Sequence, residues 1–122
     1  MYQTIEGFLQ SWTYEAESTQ KMLDALTDES LSQEIADGYR KVNTAFIEAL
    51  QSEWTDKDLA TINNFFGRPM PNSIFLMTLI NHQNHHRGQM TVLMRQAGLT
   101  VPGVYGPAKE EWAASGMEAP KM

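Results

Sequence analysis

Residues 72–98 read NSIFLMTLINHQNHHRGQMTVLMRQAG, and the rest of the chain is arranged around this stretch. At 100° per residue, Phe75, Leu79, His82, His86, Met90, Leu93 and Ala97 fall within an arc of roughly 80°. The spacing predicts one long α-helix in which His82 and His86 point where leucines point, into the core. Asn72 or Ser73, following Pro71, is the expected N-cap, and Gly98 is a natural residue to stop the helix.

Histidines at i and i+4 stand one above the other on a helix face, with ring nitrogens close enough to share a divalent ion. A neutral imidazole is costly to bury without a partner, and a charged one more so. Two readings follow. Either a metal satisfies both rings, or each ring hydrogen-bonds to a hydroxyl or carbonyl of the core. His85 lies at the rim of the stripe, where contact with a substrate, or support of a ligand, is easier than direct ligation.

The chain has 122 residues, enough for one modest domain spanning 1–122. Nine basic and fifteen acidic residues give a net charge of −6, with no basic run longer than a pair. Neutralising phosphates needs a concentrated positive face, so nucleic acid is not an expected partner. The absence of cysteine removes disulfides, thiolate metal sites and a cysteine nucleophile. Any metal must be held by nitrogen, oxygen and water. The opening MYQTIEGFLQSW has no basic leader, and no apolar run is long enough to cross a bilayer, so a cytoplasmic protein without a membrane partner is expected. The eight methionines, Met77, Met90 and Met94 among them, read as adaptable core filler.

Ile5, Leu9, Trp12, Ala16, Leu23 and Leu26 recur at helical steps, with Thr19 filling the gap, and predict an amphipathic helix over 3–26 whose solvated face carries Glu15, Glu17, Lys21 and Asp24. Thr27 with Asp28 then caps a short turn ending near Ile35, and Asp37 and Gly38 punctuate the chain. A second stripe of Tyr39, Val42, Phe46, Ala49 and Leu50 predicts a helix ending near Trp54. Thr55 and Asp56 cap a short piece carrying Leu59 and Ile62. The NNFFGRPMP of residues 63–71, with one glycine and two prolines, predicts a structured loop. After Gly98, residues 99–108 are an ordered loop in which Val104 and Tyr105 fold back on the helices, and Pro107 opens a last short helix through Trp112.

The string His82-x-x-His85-His86-Arg87-Gly88-Gln89, with PNSIFLMTLIN before it and LMRQAGLTVPGVYGP after it, strongly resembles the DinB and YfiT-like family of bacterial metal-binding helical bundles. The opening helix and Tyr105-Gly106-Pro107 are also similar, so the resemblance covers nearly the whole chain. It implies an all-α antiparallel bundle with three long helices here and short ones between them. It also implies a divalent metal, zinc or nickel, with His82 and His86 as two ligands of a three-histidine site. His85, Arg87 and Gln89 would support the ligands or touch the substrate. Family members of known activity are metal-dependent hydrolases or transferases, several acting on small thiols.

The chain departs from that family in two ways. Its three histidines all lie in one pentapeptide, so no upstream imidazole completes the triad, and Glu15 and Glu48 are the acids to consider as extra ligands. The family's second helix is also missing, with Ala36 and Asp37 at the expected junction. Removing one helix of four exposes the apolar stripes of its neighbours, which predicts a homodimer whose second chain fills the vacancy. The leading expectation is a metal-binding protein with an incomplete triad acting as hydrolase or thiol transferase. The competing one is a non-catalytic helical assembly module whose histidines are remnants.

Overall fold

Thr4 opens the first helix by accepting the Gly7 N–H on its hydroxyl at 2.9 Å, and Asp56 accepts the Ile5 N–H at 2.8 Å. From there α1 runs Ile5–Asp24. The computed structural model describes residues 2–26 and 29–121. The buried face of α1 is broader than its leucine stripe, because Phe8, Glu15, Thr19 and Met22 belong to it beside Ile5, Ala16 and Leu23. Glu15, expected in solvent, is thus a core residue. The expected Thr27–Asp28 cap lies outside the described residues.

Helix α2, Glu29–Glu53, passes without interruption through the positions expected to form a turn and a break. A single interior glycine costs a helix only about 1 kcal/mol, and tertiary contacts around Gly38 outweigh it. Ala36 is buried, and its carbonyl accepts from Gln20 of α1 at 3.0 Å. Asp37 accepts from Gln33 and Arg40 one turn to either side, at 2.9 and 3.0 Å. The Ala36–Asp37 junction therefore leaves no irregularity in the backbone.

A short 3-10 helix, Asp56–Ala60, leads into a β-hairpin where a structured loop is expected from the glycine and prolines. Strands β1, Ile62–Phe65, and β2, Arg68–Pro71, pair antiparallel, with Phe66 and Gly67 between them at φ 53° and 85°. Two successive left-handed residues make the tight reversal that matches strand twist. A two-stranded ribbon has only edges, so its prolines cost no interior ladder bond. Asn72, expected as a cap, instead accepts from Asn63 and donates to the Asp58 carbonyl, tying the start of α3 to the hairpin and the 3-10 turn.

Helix α3 runs Asn72–Gln96, and Gly98 at φ 77° ends it as expected, with the Leu99 N–H reaching back to the Met94 carbonyl at 2.9 Å. The loop over 99–108 returns to α1, where Tyr14 donates to the Val104 carbonyl at 2.8 Å. A second 3-10 helix, Lys109–Ser115, is tied to α3 by the Arg95–Glu110 ion pair.

Helix α1 packs on both α2 and α3, while Tyr39 of α2 donates to Gln83 of α3. The side chains form two apolar clusters. Ile5, Phe8, Leu50, Leu59, Leu76 and Ile80 make one, and Met22, Met94 and Val101 make the other. Polar pairs lie between them in sequence and in contact. Among the described residues no helix is long and apolar enough to cross a membrane.

Candidate functional site

The buried residues of α3 are Asn72, Ser73, Leu76, Ile80, Arg87 and Met94. Its inward face is therefore centred about 90° round the helix from the arc that holds the histidines. His82, His85 and His86 are exposed, and Leu93 keeps 64% of its surface. The expectation that the histidine pair points into the core is corrected by this rotation. Its cause is Arg87, expected from the resemblance to support the ligands or touch the substrate but buried on the inward side.

Arg87 is withdrawn from solvent and fully engaged. One terminal nitrogen reaches a Glu15 carboxylate oxygen at 2.6 Å and the Tyr105 hydroxyl at 2.9 Å. The other donates to the Glu15 backbone carbonyl at 2.9 Å. Tyr105 donates in turn to the Glu15 carboxylate at 2.7 Å, and its ring lies under the guanidinium, 5.4 Å from ring centre to carbon. Removing two charges from water is tolerable when each finds several partners. This cluster joins α1, α3 and the C-terminal loop, and it fixes which way α3 faces.

On the exposed side, the His82 and His86 rings lie 4.5 Å apart between centroids, and His85 lies 5.3 Å from His86. His86 is oriented by Gln89, whose carbonyl oxygen sits 2.9 Å from Nδ1. A proton on Nδ1 donated to that oxygen leaves the Nε2 lone pair pointing away, which is how an imidazole is prepared for a cation. His82, His86 and Gln89 are therefore brought together on the exposed side of α3.

Glu15 and Glu48 are not brought to them. Glu15 is committed to Arg87 and Tyr105 on the inward side of α3. Glu48 is two residues on from Phe46, about 160° round α2, and lines a shallow groove with Asp37, Arg40, Lys41 and Thr44. Among the described residues no group of three or more histidines and acids could hold a metal ion.

Beside the histidine stretch, Tyr39 joins α2 to α3 through its hydrogen bond to Gln83. These helices run antiparallel with Tyr39 opposite Gln83, so Ile35 stands near the level of His86 and Val42 near that of Leu79. Ile35 is 43% exposed and Val42 67%. Gln83 Nε2 and Asn84 Oδ1 are buried side-chain atoms without a hydrogen-bond partner among the described residues. The sequence reading missed the tie between Tyr39 and Gln83 and the anchoring role of Tyr105. Glu15 and Thr19 are four apart and in register with Phe8 and Met22, which was the available signal for a polar core position on α1.

A family model described as the DinB family matches residues 32–122. The chain belongs to the DinB family. The uncharacterized protein YrdA of Bacillus subtilis strain 168 is 48% identical over a 167-residue span that takes in the whole of both chains. That span exceeds the 122 residues here by 45. A crystal structure of a DinB-like protein from Bacillus cereus ATCC 10987 is 65% identical, with a TM-score of 0.83, over 86% of this chain and 100% of that one. The DinB match includes α3, the exposed histidines and the buried arginine, so both sides of this helix belong to the family region.

Proposed function

We propose that this DinB protein binds a divalent metal ion, zinc or nickel, through His82 and His86, as part of a metal-dependent hydrolase or thiol-transferase lineage. The observation that carries the reading is the pairing of two exposed imidazoles 4.5 Å apart with a Gln89 carbonyl held on His86 Nδ1. The donor set fits a borderline-soft divalent ion, and it is incomplete, so water, substrate or another chain provides the remaining ligands. A bound ion would lower the pKa of a coordinated water or thiol.

The chain's own residues have separable tasks. His82 and His86 ligate, Gln89 fixes the His86 tautomer, and His85 stands at the edge where a substrate can be met. Arg87 acts from the opposite side by holding α3 in the rotation that turns the pair outward. The exposed Ile35, Val42 and Leu93 support a second reading, in which the face is an assembly surface of a bundle short of one helix. The 45 alignment positions without a counterpart in this chain support the same shortening.

Metal per chain, measured by elemental analysis after gel filtration, tests the proposal. His86→Ala should lose most zinc or nickel uptake while His85→Ala keeps it. Equal loss in the two variants would overturn the ligand assignment.

A further inference from the structure

Between the start of α1 and the end of α2 lies a groove with an apolar floor and an acidic rim. Ile5 and Leu9, one turn apart on α1, line it together with Trp54, which follows α2. Ile5 belongs to the cluster of Phe8 and Leu76, and Leu9 and Trp54 pack against that cluster, so the floor is held from behind. The cavity volume is about 580 Å³, within the roughly 300–1,000 Å³ that small-molecule sites occupy.

The charge on its wall has one sign. Asp56 is fixed there because its Oδ1 accepts the Ile5 N–H at 2.8 Å, and its second carboxylate oxygen has no partner among the described residues. Glu6 follows Ile5 in the first turn of α1 and is exposed, with no ion pair among the described residues. Helix α2 ends at Glu53 with no basic residue in its last turn, so nothing there offsets the negative end of the helix. The positive end of α1 takes up one Asp56 oxygen and the Thr4 hydroxyl, which leaves the other Asp56 oxygen and Glu6 for a ligand. No lysine or arginine lines the groove, and Lys57, next to Asp56 in the chain, is not on its wall.

Floor and rim together select an occupant. A neutral apolar molecule would leave two carboxylates beside it without a counter-charge, and an anion would be repelled. A bare metal ion would leave the apolar floor unused, and among the described residues no group of three or more histidines and acids could hold one. A cation with an apolar body answers to both, because carboxylates accept the N–H bonds of an ammonium and an indole ring attracts positive charge. We propose that this groove binds an organic ammonium ion, with its charged head at Glu6 and Asp56 and its alkyl or aryl part on Ile5, Leu9 and Trp54. The groove shares no residue with the His82 and His86 face, so this ligand is independent of any metal bound there.

Titration of the full chain with hexylammonium chloride, in EDTA so that no metal contributes, tests the proposal when the Trp54 indole N–H is followed by heteronuclear NMR and identified with Trp54→Phe. The Trp54 signal should move and saturate. Hexanol should bind about tenfold more weakly than hexylammonium, and hexanoate should leave the signal in place. Glu6→Gln with Asp56→Asn should weaken hexylammonium binding about tenfold. The asparagine amide oxygen can still accept the Ile5 N–H, so the double variant should keep the dispersed spectrum of the parent. A stationary Trp54 signal would overturn the site. Equal binding of hexylammonium and hexanol, or undiminished binding by the folded double variant, would overturn the role of the two carboxylates.

Discussion

Arg87 and Glu15 meet at 2.6 Å across the contact of α3 with α1, with 4% and 11% of their side chains exposed. Deleting one member leaves the other charge buried without its counter-ion. Arg87→Met should therefore cost about 3–5 kcal/mol in urea unfolding, and Glu15→Gln with Arg87→Met together should cost less than the sum of the two changes. A single-variant loss below about 1 kcal/mol would place the pair among ordinary surface contacts.

Two phenols should titrate late. Burial raises the pKa of Tyr39 above its usual 10.0, with Thr19 and the Arg87 charge opposing. Burial and the Glu15 carboxylate raise that of Tyr105, with Arg87 opposing. A raised pKa means that the folded chain keeps a proton the unfolded chain gives up. The stabilisation is fully present below pH 10.0 and is lost as the pH rises through the folded values. In an absorbance titration, Tyr39→Phe and Tyr105→Phe should each remove part of the change above pH 10.0, and a loss confined to lower pH would contradict the raised values.

The strap over α1 is held at Gly103. Its N–H donates to Glu111 at 3.0 Å, and a Cβ there would come within 2.3 Å of the Gly106 carbonyl oxygen. Gly103→Ala must displace backbone, so limited proteolysis should cut residues 99–108 faster than in the parent, with the far-ultraviolet circular dichroism little changed. Equal cleavage would mean that the strap absorbs the methyl group.

Gly38 has open space where a Cβ would stand and sits inside the continuous α2. Gly38→Ala should raise stability by about 0.5–1 kcal/mol, read as a higher urea midpoint at unchanged slope. A lower midpoint would show that the helix needs the glycine to bend.

The sequence carried the three long helices, the Gly98 stop and the return of Val104 and Tyr105, because each had apolar periodicity or a chemical terminator. It also placed His82 and His86 on one face of one helix. The rotation of α3 was not legible, because periodicity treats arginine as solvated and cannot see that Glu15 and Tyr105 wait for it across the fold. Histidine, counted with the leucines, then drew the predicted core toward the wrong side. The pause at Asp37 and Gly38 failed for a related reason. Local breakers were weighed without the Gln20 and Arg40 contacts that keep α2 helical. The hairpin was read as irregular because Pro69 and Pro71 argue against a strand only when it has neighbours on both sides.

The two apolar clusters share no residue. A void opened at Leu76 shares no cluster side chain with Met94, and between them Arg87, Glu15 and Tyr39 are held by directional bonds. Sequence drift at one end of the bundle is then insulated from the other, and the end near the hairpin can be remodelled while the end beneath Val101 keeps its packing. Divergence in this chain should be patchy along the helix axes, with its quietest band at the level of Glu15, Tyr39 and Arg87.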